Sequence, residues 1–105
     1  MTTFDNRENA FEAEFAHQED LKFKMRERAL GLLALWAAEH LDKSAEARKA
    51  YVRDIVAADV VDPNSGVAFE RILTDLRARG ISEQDVRQAR DRFLAQADKS
   101  MRGSV

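Results

Sequence analysis

The chain has no cysteine, and among its 105 residues only one proline, four glycines, one tryptophan and one tyrosine. Without cysteine there are no disulfides, no thiolate metal sites and no cysteine nucleophile. So little proline and glycine, with few β-branched residues, points to an all-α fold. Neither charge is in large excess. Seventeen Lys and Arg against 19 Asp and Glu leave a net charge of −2, which argues against nucleic acid as the main partner. The opening MTTFDNRENAFEAEF has no basic stretch followed by an apolar run, so no secretory signal is read and a cytoplasmic protein is expected. No stretch suits a bilayer. Lys22, Lys24, Arg26, Glu27 and Arg28 interrupt the most apolar region, where a span needs about 20 apolar residues, so no direct membrane insertion is expected. Chemistry is equally scarce. His17 and His40 lie far apart without metal-site spacing, no serine sits in a nucleophile elbow, and no glycine-rich loop follows a strand. No catalytic residue, metal ligand or obligatory cofactor is therefore expected, and the chain does not read as an enzyme.

What is present is helix signal. Residues 21–41, LKFKMRERALGLLALWAAEHL, hold the only Trp and six of the leucines, with no proline. Phe23, Leu30, Leu33, Ala37 and Leu41 share one face, and Met25, Leu32 and Trp36 a neighbouring one. An apolar arc this wide needs partners on two sides, so this stretch is expected to be the central helix of a small four-helix bundle. Gly31, inside the helix, reads as a site of close helix packing.

Three further helices follow. Ser44 is a fair N-cap for a helix over 45–59, with Tyr51, Val52, Ile55 and Val56 on one side. The break Val60-Val61-Asp62-Pro63-Asn64-Ser65-Gly66 precedes a helix over 66–79 with the stripe Phe69, Ile72, Leu73, Leu76, ended by Gly80. Ser82, with Asp85 three residues on and Ile81 and Val86 as a hydrophobic staple, opens a helix over 82–99. That helix presents Val86, Ala89, Phe93 and Ala97 inward, and the tail from Ser100 is expected to fray. The expected core is Leu33, Trp36, Ile55, Phe69, Leu73 and Phe93.

Residues 1–20 differ from the rest. Six acids and one base, Arg7, give them a net charge of −5. Phe4, Phe11 and Phe15 stand at i, i+7 and i+11, on one narrow helical face. Two readings are open. The rings pack on the bundle, or the segment is an acidic amphipathic helix, partly mobile when free, that offers a Phe edge to a partner. The domain boundary is drawn at this point: 1–20 as a separate N-terminal segment and 21–105 as the bundle. A basic cluster, Lys22, Lys24, Arg26 and Arg28, lies just beyond it. It reads either as a solvated helix end balancing the acidic segment or as a weak site for a nucleotide such as ATP or ADP.

The ordered set Thr2-Thr3-Phe4-Asp5, Arg7-Glu8, Ala10-Phe11-Glu12, Phe15-Ala16-His17 and Leu35-Trp36-Ala37-Ala38-Glu39 resembles the zeta inhibitor subunit family of bacterial F-type ATP synthases. The resemblance runs over essentially the whole chain. It departs at Ala29, Leu30 and Gly31, where members carry basic and amide residues. It implies a four-helix domain with an N-terminal inhibitory segment that enters the catalytic α/β interface near the rotating γ shaft and blocks ATP hydrolysis. On that view Phe4, Phe11 and Phe15 are anchors, and Asp5, Arg7, Glu8, Glu12 and His17 form the polar rim. The partner is the catalytic head, the free chain is a monomer, and its place is at the cytoplasmic side of the inner membrane through the ATP synthase. The alternative is a non-inhibitory helical module that binds a nucleotide or another protein.

Overall fold

Good helix formers fill both sides of the boundary expected near Asp20, and nothing in the backbone marks it. In the computed structural model, which describes the backbone of residues 3–103 and the side chains of residues 17–101, helix α1 runs unbroken over Thr3–His40. It therefore starts well before residue 21. Local charge favours this continuity: Lys22 pairs with Glu19 at 3.4 Å and Lys24 with Asp20 at 3.0 Å, across the expected boundary. Both pairs are exposed and worth at most a few tenths of a kcal/mol each. The expected mobility of the N-terminal segment, and the common face of Phe4, Phe11 and Phe15, fall on side chains outside those described.

Three shorter helices complete an all-α four-helix architecture: α2 over Ala45–Val61, α3 over Val67–Arg77 and α4 over Glu83–Gly103. No strand occurs among the described residues. The boundaries follow local chemistry. The Ser44 hydroxyl accepts from the Ala47 N–H at 3.3 Å and caps α2. The helix continues two residues beyond 59 and stops at Asp62, where Pro63 disfavours a further helical turn. Gly80, with φ +80°, closes α3 through Gly80 N–H to Arg77 C=O at 3.0 Å and Ile81 N–H to Leu76 C=O at 3.1 Å. The Asp85 N–H donates to Ser82 Oγ at 3.1 Å, the expected cap of α4. That helix does not end at Lys99, because Met101, one turn beyond the buried Ala97, is half-buried and extends the same face.

The end of α1 uses the same backbone geometry as α3 without a glycine. Asp42 has φ +56°, the Asp42 N–H reaches Glu39 C=O at 3.1 Å and the Lys43 N–H reaches Ala38 C=O at 3.2 Å. A left-handed non-glycine residue costs roughly 1–2 kcal/mol. Arg79 helps hold it there, donating to the Leu41 carbonyl at 3.1 Å and to the Asp42 carboxylate at 3.2 Å. Arg79 so ties the ends of α1 and α3 together.

The core is built on alanine. Ala29, Ala34, Ala37 and Ala38 of α1 are buried, as are Ala68, Ala89 and Ala97, around Leu33, Ile55, Ile72, Leu76 and Val86. Such small side chains let the helices approach closely and leave little room at the centre for rings. Of the expected core, Leu33, Ile55 and Leu73 are buried, while Trp36, Phe69 and Phe93 are half-buried and pack on the core from its rim. Phe23, expected on the inner face, is exposed (38 %), because the partners of α1 do not extend that far along it. Gly31 also departs from expectation. A Cβ there would meet Val56 Cγ2 at 4.0 Å, an ordinary contact, so packing does not demand glycine.

Candidate partner-binding site

Helix α1 outruns its neighbours. Its 38 residues span about 57 Å at 1.5 Å per residue. The molecule measures 62 × 27 × 27 Å. Helix α4 starts at the C-terminal end of α1, where Arg79 meets Leu41, and by Leu94 it has come level with Arg26 and Ala29. Every residue of α1 from His17 to Lys24 is exposed. The body therefore presents a projecting helical limb, with Leu21 and Phe23 open to solvent.

Phe4, Asp5, Arg7, Glu8, Phe11, Glu12 and Phe15 belong to α1 by backbone, upstream of this limb, but their side chains lie outside those described. His17 is exposed at the start of the described stretch. The basic cluster is not gathered into one site. Lys22 and Lys24 are engaged by acids on their own helix, and Arg28 is exposed. Arg26, also exposed, reaches across to the loop before α3 and donates to the Pro63 carbonyl at 3.5 Å.

Where the limb meets the body there is a recess of about 340 Å³, lined among others by Arg26, Leu30, Asp59, Phe69, Arg90 and Leu94. The Arg90 guanidinium lies 4.3 Å from the centre of the Phe69 ring. Beside Arg26 stands Glu27, whose two carboxylate oxygens are shut off from solvent with no donor to satisfy them. Burial pushes this carboxyl from 4.5 up to about 7, the hydrogen bond and negative charge of Asp59 push the same way, and Arg26 opposes them. With both carboxyls ionised neither can donate. One added proton lets the pair share a hydrogen bond between α1 and α2. The sequence hid this pair because the two acids lie far apart along the chain and look like ordinary surface charge.

A second feature went unread in the sequence. Between α1 and the outer side of α2 runs a groove of about 570 Å³, floored by Leu35, Val52 and Val56 and edged by Arg48, Lys49 and Arg53. Val52 and Val56, which the spacing puts on one side of α2 with Tyr51 and Ile55, are only half-buried. Elsewhere polar contacts are structural. The Tyr51 hydroxyl donates to Asp75 at 2.8 Å and so joins α2 to α3; burial and Asp75 keep it protonated. His40 rests edge-on against Trp36, with ring centres 4.5 Å apart. Among the described residues no group of three or more metal-ligating side chains comes together, and no helix is long and apolar enough to cross a membrane.

A small helical body with a projecting charged limb has the build of a protein that works by binding another protein. The family model described as ATPase inhibitor subunit zeta matches residues 1–100, and the chain belongs to that family. No curated protein and no solved structure matches it.

Proposed function

We propose that the chain inhibits ATP hydrolysis by the F-type ATP synthase, its N-terminal segment wedging into the α/β interface of the catalytic head while the helical body anchors it. The observation that carries this reading is the limb of α1, a helix that leaves the body with every residue from 17 to 24 exposed and leads directly into the acidic, Phe-bearing segment. Membership of an ATPase inhibitor subunit family supports it. The physical logic is that of a stop. Phe4, Phe11 and Phe15 fill an apolar cleft that rotation must close, and Asp5, Arg7, Glu8, Glu12 and His17 pair with its rim. A continuous α1 transmits the body's position to the wedge, because a helix resists bending where a flexible linker does not. The chain acts by binding and not by catalysis, as a free monomer on the cytoplasmic side, held to the inner membrane only through the enzyme.

Hydrolysis by the purified catalytic head, with and without the chain, tests this. Removal of residues 1–19 is expected to abolish inhibition while the helical far-ultraviolet signal of the body persists. A truncated chain that inhibits as well as the full one overturns the wedge.

A second reading has one observation in its favour: the recess is lined by Arg26 and by Phe69, over whose ring the Arg90 guanidinium lies, a combination suited to an anionic ligand with a flat ring, such as ATP or ADP. Localised NMR shifts at Arg26, Phe69 and Arg90 on addition of sub-millimolar nucleotide would support it; their absence would remove it.

A further inference from the structure

We infer that the groove between α1 and α2 is the surface by which the body docks on the catalytic head, and that it takes an acidic amphipathic helix of about three turns. The inference deepens the proposed function and rests on it for the identity of the partner.

Shape comes first. The α2 positions that line the groove are 45, 48, 49, 52, 53 and 56, one face of that helix at intervals of three and four, covering about 16 Å. The adjoining face carries the buried Tyr51 and Ile55. Leu35 of α1 closes the other wall and is 39 % exposed despite its size. Leu35, Val52 and Val56 thus form an apolar floor, and a third helix laid between two others covers such a floor with its own residues at the same spacing.

Charge then selects the partner. Arg48, Lys49 and Arg53 stand along the groove, and among the described residues the one ion pair they make is Lys49 with Glu46, at a long 3.8 Å and almost fully exposed. Arg48 Nε is shut off from solvent without an acceptor. A buried N–H left unmet is destabilising, and an incoming carboxylate would recover part of that cost. The basicity is local, since the chain as a whole carries −2. A nucleic-acid backbone would satisfy the cations but leave the apolar floor uncovered. An acidic helix with one apolar edge satisfies both.

The chain's own N-terminal segment has that composition, but α1 is unbroken and directs it away from the groove of the same molecule. It could reach only the groove of a second copy, and the test separates that case. The exposed pair Lys49→Glu/Arg53→Glu is compared with Arg92→Glu/Lys99→Glu on α4, which makes the same charge change elsewhere. Melting temperatures confirm that both fold. Binding of each chain to the catalytic head, and inhibition of its ATP hydrolysis, are measured separately. The groove variant is expected to bind at least about tenfold more weakly, with the α4 variant near wild type. Equal binding by the groove variant, or equal losses in both variants, overturns the groove assignment. If the wild type binds without inhibiting, the wedge fails while the groove is still judged by binding. If the wild type does not bind the head, both fail. Because the chain has no cysteine, Ala45→Cys offers a unique point for a photo-crosslinker at the end of the groove. Capture of an acidic helix of the head supports the inference; capture of residues 1–16 of a second copy, or of a segment that is neither acidic nor helical, overturns it.

Discussion

Helix α1 contains two regions made from similar residues under opposite conditions. Between Ala29 and Ala38 one face of it is enclosed, with Leu33, Ala34, Ala37 and Ala38 almost wholly buried against α2 and α4. Between His17 and Lys24 every residue is exposed and the side-chain contacts are ion pairs along the helix itself. The lower region is held by burial, which is lost only when the body unfolds. The upper region is held by helix propensity, continuity with the body and weak charge pairs. An isolated helix of that length is marginal in water. The lesson is that one element serves as both core and limb, and only packing partners distinguish the two.

The largest effect expected from this contrast is in the core. Leu33→Ala removes a side chain that is 1 % exposed and should cost about 2–5 kcal/mol. Phe23→Ala, on the limb of the same helix, should cost less than about 0.5 kcal/mol. Denaturant unfolding of the two variants checks the difference. Equal losses would mean that the limb is packed in solution.

At the junction of the two regions the expected effect depends on pH. The Glu27 carboxyl sits at about 7 when folded against 4.5 for the ordinary group. Between those values the folded chain holds more protons than the unfolded one, so stability should rise as pH falls from 8 to 5 and be lost as pH climbs through 7. Glu27→Gln removes the titration. Its melting temperature should vary less between pH 5 and 8 than that of the wild type and exceed it at pH 8, by about 1 kcal/mol or roughly 4–8 °C. An unchanged pH profile would show that the Glu27–Asp59 pair is solvated.

The smallest effect should be a gain. Gly31→Ala adds a methyl group that meets Val56 at an ordinary distance and removes a glycine from a helix interior, so it should stabilise the body by about 0.5–1 kcal/mol. A loss of stability would show that α1 and α2 lie closer than the 4.0 Å contact implies.

Much of the fold was legible in the residues because its signals are local. Ser44 and Ser82 cap the helices they were expected to cap, and Gly80 ends α3 with the expected positive φ. The stripe Ile72, Leu73 and Leu76 is buried as its spacing requires. Family membership followed from an ordered set of short motifs. The misreadings were of position relative to other helices. The central helix was expected to start at residue 21, but backbone hydrogen bonding continues through any good helix former, so α1 begins at Thr3. Gly31 suggested tight packing that its neighbours do not impose.

The sequence alone determined the all-α class, the caps at Ser44, Gly80 and Ser82 and the acidic, ring-bearing character of the first twenty residues, because caps, turns and periodicity act within a few residues of one another. Tertiary structure alone decided that Phe23 faces solvent, that alanines crowd the centre while Trp36, Phe69 and Phe93 stay at its rim, that the half-buried Glu27 meets Asp59, and that three cations edge an apolar groove. Each of these depends on where a distant helix starts, stops and lies, which no local pattern records.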